Sequence, residues 1–102
     1  MIELFEIDKE KHRFIVKSKS GTTLLNSIDF KNKEEVEQTV LNLTSTSNAI
    51  KRIERKTNFD GKFLFDVKNN EGKTIGSSGL YSSEAGMENG IKNLRNSLSA
   101  NL

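Results

Sequence analysis

Along this chain, apolar and polar positions change their period twice, in the same order each time. From 3 to 8 (Glu-Leu-Phe-Glu-Ile-Asp) apolar side chains are interleaved with charged ones, and then His12, Phe14 and Val16 alternate with Arg13, Ile15 and Lys17. Period two is that of a strand with one buried face, so the first set is expected to share one side. Thr23 to Ser27 reads as a third strand, reached through a turn marked by Gly21. The spacing then lengthens. Val36, Val40 and Leu43 recur at helical intervals behind Asn32, a residue type that caps helices, with Glu35 three positions on as a variant of the capping box. The succession then returns. Residues 50 to 57 form an opening strand, Phe63, Phe65 and Val67 alternate with Leu64, Asp66 and Lys68, and Thr74 to Ser78 follows Gly72 as a third strand. Ser83 takes the cap position before a stripe of Met87, Ile91, Leu94 and Leu98. The turn Asn58-Phe59-Asp60-Gly61 contains an Asp-Gly pair that supplies positive φ, whereas Asp8 to Lys11 is shorter and has no glycine.

The two successions keep register. Arg13 to Leu43 aligns with Leu64 to Leu94 at a constant offset of 51, with nine identities in 31 positions, among them Phe14 with Phe65, Val16 with Val67, Gly21 with Gly72 and Ser27 with Ser78. Internal repetition of this kind sets the fold expectation. A copy of about 50 residues has only a marginal core by itself. The expected fold is therefore one α+β domain over 1–102, made of two βββα repeats (1–48 and 49–102) that form one shared antiparallel sheet with both helices packed on one face. Residues 44 to 48, Thr-Ser-Thr-Ser-Asn, are the polar connection. Because the second repeat supplies the partner of the first, a monomer is expected.

Composition narrows the chemistry. There are 16 Lys and Arg against 14 Asp and Glu, one His, and no Cys, Pro or Trp. Without cysteine there is no disulfide framework, no thiolate metal site and no thiol nucleophile. The lone His12 excludes a site built from several imidazoles, and it aligns with Phe63 on the inward face, where a packing role fits. No catalytic, metal-binding or cofactor-binding set is identified, and no cofactor is expected. No apolar run reaches the roughly 20 residues of a membrane-spanning helix. The start, Met1 to Asp8, carries Glu3 and Glu6 where a signal peptide would be basic and then apolar, so a cytoplasmic location and no membrane partner are expected.

Candidate chemistry is confined to a few places. Gly86 and Gly90 lie one helical turn apart and each costs about 1 kcal/mol relative to alanine, so close packing against a strand or the other helix, or room for a ligand, must compensate. Asn89 beside them could bond a strand edge or the neighbouring repeat. Glu88 and its counterpart Glu37 fit surface or cap partners better than an acid/base pair, which needs opposed environments. Ser77, Ser78, Ser82 and Ser83 suit a strand end, a turn and a cap better than a nucleophile, since no base is near. Lys51, Arg52, Arg55 and Lys56 form the most basic run, but strand alternation puts Arg52 and Lys56 with Glu54 on one face and Lys51 and Arg55 on the other.

The second repeat reads Asp-Gly-Lys-Phe (60 to 63), Val67-Lys68, Gly72, Ile75-Gly76-Ser77-Ser78, Tyr81-Ser82-Ser83, Ala85 and Glu88-Asn89-Gly90-Ile91. In these residues it resembles the YegP-like family of bacterial domains of unknown function. The resemblance implies tandem or paired repeats, each giving three strands and a helix to one sheet, and a bacterial origin; it brings no catalytic residue. Where the second repeat has Gly76, Tyr81, Ser82, Ala85, Gly86, Asn89 and Gly90, the first has Leu25, Phe30, Lys31, Glu34, Glu35, Gln38 and Thr39. The expected function is a small non-catalytic interaction module with an unidentified protein partner, its candidate surface comprising Tyr81, Ser82, Glu88, Asn89, Arg52 and Lys56. The alternatives are a nucleic-acid-binding protein that uses the sheet face, and an enzyme or enzyme accessory.

Overall fold

The computed structural model describes residues 1–45 and 53–99. Two strands, β1 (Ile2–Asp8) and β2 (Lys11–Lys17), form a hairpin that continues into β3 (Thr23–Ser27) and then α1 (Lys33–Ser45). The chain resumes with β4 (Ile53–Thr57), β5 (Phe63–Lys68), β6 (Thr74–Ser77) and α2 (Glu84–Ser99). All six strands join one antiparallel sheet in the order β1-β2-β3-β6-β5-β4. Both helices contact β2 and each other, so they form a single layer on one face. Among the described residues this is an α+β fold with one six-stranded sheet and two helices.

Local chemistry explains where the elements stop and start. The Asn32 side chain accepts the Glu35 N–H at 2.8 Å and the Ser83 hydroxyl accepts the Gly86 N–H at 3.0 Å, so both helices begin where their caps satisfy an orphan donor. Gly61 has φ +76 in the β4–β5 turn, as expected of the Asp-Gly pair. A further contribution comes from Asn58, whose side-chain oxygen accepts the N–H groups of Asp60 and Lys62 at 3.0 and 2.9 Å. Asn69 repeats this before Gly72, accepting from Glu71 and Lys73. The shorter first hairpin is held by Asp8, which accepts the Glu10 N–H at 2.8 Å.

Three expectations need correction. The polar stretch assigned to a connection at 44 to 48 starts inside α1, where the Thr44 hydroxyl donates to the Val40 carbonyl at 3.0 Å. Residues 46 to 48, and 50 to 52 of the expected opening strand, lie outside the described residues. The third strand of the second half ends at Ser77, because the Ser78 N–H still bonds the Phe65 carbonyl at 2.8 Å but the Phe65 N–H is taken by the Ser78 hydroxyl at 2.9 Å instead of its carbonyl. Strict alternation also fails once in each half. Val16 pairs with Leu25 and Lys17 with Thr23, so Leu24 is an extra residue in a bulge, and Ile75 is the extra residue between the Val67–Gly76 and Lys68–Thr74 pairs. Bulging turns both inward, and Leu24 and Ile75 are buried like Leu25 and Gly76 beside them.

The core lies between sheet and helices. Phe14, Val16 and Leu25 from one half meet Phe65 and Val67 from the other, under Val36 and Leu43 of α1 and Met87, Ile91, Leu94 and Leu98 of α2. His12 is half-buried beside this layer, and its backbone exchanges two hydrogen bonds with Phe30. The opposite face of the sheet carries no helix among the described residues.

Candidate functional site

A concavity lies along the side of α2 that does not enter the core. The apolar stripe of α2 faces the sheet, so Gly86, Asn89, Gly90, Asn93, Asn96 and Ser97 line a groove of about 750 Å³. Its other wall is the β2–β3 hairpin, with Ser18, Lys19, Ser20 and Thr22, and Leu24 contributes an apolar patch. The hairpin is held by Gly21 at φ +90 and by the Ser18 hydroxyl, which accepts the Thr22 N–H at 3.2 Å and bonds Ser20 Oγ at 2.9 Å. One end is closed by Ser97, whose hydroxyl donates to the Lys17 carbonyl at 2.6 Å.

Tyr81 forms the remaining wall. Its backbone exchanges two hydrogen bonds with Phe63 and its ring stacks on Phe65 at 6.4 Å, much as Phe30 stacks on Phe14 at 6.2 Å. The phenol oxygen lies over Gly90, where an added Cβ would fall 2.2 Å from it. This identifies what compensates for the helical glycine: the space is filled by the Tyr81 side chain, not by a strand or the other helix as the sequence led one to expect. Gly86 is looser, with Ser83 Oγ at 3.1 Å and Tyr81 Cδ1 at 3.8 Å from an added Cβ. Burial raises the Tyr81 pKa, so the group stays a neutral hydroxyl, able to donate and accept.

The six residues singled out in the sequence are not brought into one surface. Tyr81 and Asn89 line the groove, and Asn89 is exposed with no side-chain hydrogen bond among the described residues. Ser82 is exposed in the turn before α2. Glu88 points away to β4, where it accepts from Arg55 Nε at 2.6 Å and from the same guanidinium at 2.9 Å; that bonding holds its carboxyl below the ordinary range. Lys56 lies on the opposite sheet face, 2.6 Å from Asp66, and Arg52 is outside the described residues. The serines read as structural do such work: Ser78 accepts the Phe65 N–H at 2.9 Å, Ser77 donates to Asp66 at 2.7 Å and Ser83 caps α2. Sequence reasoning missed the hairpin wall, for which the only signal was a run of hydroxyls from Ser18 to Thr22.

The open sheet face is charged, and four of its cations are paired with carboxylates. Lys17 pairs with Glu3 at 2.9 Å, Lys56 with Asp66, Lys68 with Glu54 and Arg13 with Asp29. Asp66 is buried, which by itself raises its pKa, but bonds from Lys56 and Ser77 outweigh burial and the net shift is downward. No group of three or more His, Asp or Glu side chains is gathered among the described residues, and no described helix is long and apolar enough to cross a membrane.

A six-stranded antiparallel sheet under two helices, with a hydroxyl- and amide-lined groove beside the second, defines a small α+β domain of the kind found in bacterial proteins of unknown function. A model of the domain of unknown function DUF1508 matches residues 59–101. The UPF0339 protein YegP of Escherichia coli K12 is 32% identical over 93 residues, which covers 91% of this chain and 84% of YegP. A UPF0339 protein of Stutzerimonas stutzeri is 32% identical over 95 residues, covering 90% and 86%. The solution NMR structure of E. coli YegP superposes with a TM-score of 0.86 at 31% identity, over 96% of this chain and 84% of that one. A UPF0339 protein of Shewanella oneidensis also gives 0.86, at 25% identity, over 95% and 82%. The chain belongs to the YegP-like UPF0339 family.

Proposed function

We propose that this protein is a small non-catalytic binding module that receives a segment of a protein partner in the groove along α2. The observation that carries this reading is the chemistry of the lining: Ser18, Ser20, Thr22, Tyr81 and three asparagines offer donors and acceptors without charge, and none of the described lining residues is acidic. Such groups match the alternating C=O and N–H of a peptide main chain. Acid–base or nucleophilic catalysis instead needs a titratable pair within hydrogen-bond reach, and the groove offers Lys19, a phenol held neutral and the Met1 amine, which already donates to Ser97 Oγ and the Lys17 carbonyl. The nucleic-acid reading has less support, since four cations of the open face, Arg13, Lys17, Lys56 and Lys68, are each bonded to a carboxylate and phosphate binding would have to displace those carboxylates.

We also infer that the chain is two βββα copies, 1–48 and 49–102, sharing one sheet. The reading is supported by matched details at the offset of 51. Phe14 and Phe65 each donate N–H to a serine hydroxyl, Ser27 and Ser78, at 2.9 Å. The Gly21 and Gly72 N–H groups each bond the carbonyl three residues before, at 3.0 Å.

A photo-crosslinking residue at Asn89, compared with one at Lys56 on the opposite face, tests the binding reading in the native cell. One discrete protein adduct is expected from position 89, lost when Thr22→Trp fills the groove. Adducts from position 56 alone, or an adduct at 89 that survives Thr22→Trp, would refute it.

A further inference from the structure

The two edges of the sheet are built differently. At one edge, β4 sets Glu54, Arg55 and Lys56 on alternate faces, the usual protection of an exposed strand. At the other, β1 leaves Leu4, Phe5 and Ile7 43%, 41% and 48% exposed. Its backbone is also half free. The Met1 carbonyl accepts the Lys17 N–H at 2.8 Å, and β1 pairs Glu3 with Ile15 and Phe5 with Arg13. Hydrogen-bonded and non-hydrogen-bonded pairs alternate in an antiparallel ladder, so Glu3 and Phe5 direct their N–H and C=O groups to β2 while Ile2, Leu4 and Glu6 direct theirs outward.

We propose that, instead of the monomer expected from the internal pairing of the repeats, the chain forms a dimer in which β1 is the surface through which two copies pair, antiparallel about a two-fold axis at Phe5, so that their sheets run on as one. In that register Leu4 of each copy exchanges hydrogen bonds with Glu6 of the other, using the outward-facing groups. Phe5 meets Phe5 of the second copy in a non-hydrogen-bonded pair, where side chains approach most closely. Glu3 faces Ile7 and Glu6 faces Leu4 of the other copy, so no two carboxylates stand opposite, and Glu3 is already bonded to Lys17 at 2.9 Å. The irregularity between Glu6 and Asp8 limits regular pairing to the middle of the strand. Self-complementarity about Phe5 is what selects a second copy over a foreign strand.

Sedimentation velocity on the full chain from about 5 to about 500 µM tests this. The mass is expected to double within that range, Phe5→Lys to stay at the single-chain mass with an unchanged far-UV CD spectrum, and Leu41→Lys, at an exposed site on α1, to dimerise like the parent. In the parent, exchange of the Leu4 and Glu6 amides is expected to slow as concentration rises. A single-chain mass throughout, a dimer that persists in Phe5→Lys, or a dimer whose Leu4 and Glu6 amides exchange as fast as in the monomer would overturn the proposal.

Discussion

Replacing Gly90 by alanine sets two effects of opposite sign against each other. Alanine in a helix interior is favoured over glycine by about 1 kcal/mol, so in open space the change would stabilise. Here the new Cβ would lie 2.2 Å from the Tyr81 hydroxyl oxygen, 2.6 Å from Cζ and 3.1 Å from Cε1. The ring has no easy retreat. Its backbone is tied to Phe63 at 2.8 and 2.7 Å, and only two torsions can move it off Phe65 into the groove. That movement forfeits an aromatic contact worth about 0.5–1.5 kcal/mol together with part of the ring's burial, within the roughly 1–3 kcal/mol usual for overpacking. We expect Gly90→Ala to destabilise by about 1 kcal/mol net, read as a lower urea midpoint at constant slope. In a Tyr81→Ala background the same change should stabilise by up to about 1 kcal/mol, because only the propensity effect remains. The double-mutant cycle should give a coupling near 2 kcal/mol, well beyond the roughly 0.5 kcal/mol of independent sites. If Gly90→Ala has the same sign in both backgrounds, Tyr81 is not what the glycine accommodates.

Other substitutions test the frame around the groove. Gly76→Ala places a Cβ 2.9 Å from the Asn26 carbonyl oxygen and 3.1 Å from Leu25 Cγ; chemical denaturation should show a loss of about 1–3 kcal/mol, only partly restored by Leu25→Ala, since the backbone contact stays. Ser27→Ala leaves the buried Phe14 N–H without its acceptor and should cost about 1–3 kcal/mol, measured the same way. For Asp66 the pKa is lower folded than its ordinary value of 3.8, so its contribution is present above that value and disappears as pH falls through the folded one. Stability followed down through the carboxylate range should therefore fall less steeply in Asp66→Asn than in the parent; equal slopes would refute the assignment.

What could be read from the sequence was whatever depends on near neighbours. Phe14 with Val16 and Phe65 with Val67 declare their strands by period two, and Asn32 and Ser83 declare helix starts because a cap acts within three residues. Leu24 and Ile75 could not be placed, since alternation assigns neighbours to opposite faces and only the register of the facing strand reveals a bulge. The cost of Gly90 was visible, yet its cause was not, because the side chain that needs the space comes from the turn before the helix. In the candidate site Tyr81 and Asn89 do meet in the groove, while the hairpin from Ser18 to Thr22 is brought to them from the far half of the chain. In the sequence Glu88 and Lys56 were candidates for one interaction surface. Each is engaged, Glu88 by Arg55 where α2 meets β4 and Lys56 by Asp66 through the register of β4 on β5, neither of which the sequence fixes.

The differences between the two halves are not independent of one another. On the two-copy reading, Asn26 and Ser77 are equivalent positions, and they face each other at the centre of the sheet. Leu25 and Gly76 then flank the axis, and the space for one large side chain there is taken by Leu25; a Cβ on Gly76 already meets its Cγ and the Asn26 carbonyl. Two halves with the sequence of the first would bring two leucines to a site that holds one. The same coupling recurs at the ends of the helices. Phe30 lacks the hydroxyl of Tyr81, and Thr39 stands where Gly90 does, so the first half has neither the oxygen nor the missing Cβ that accommodates it. Each substitution at one position is thus matched by another across a contact. At the seam this keeps the halves from exchanging roles, and beside α2 it places a phenol hydroxyl at the mouth of a polar groove in one half, with no counterpart residue to supply one in the other.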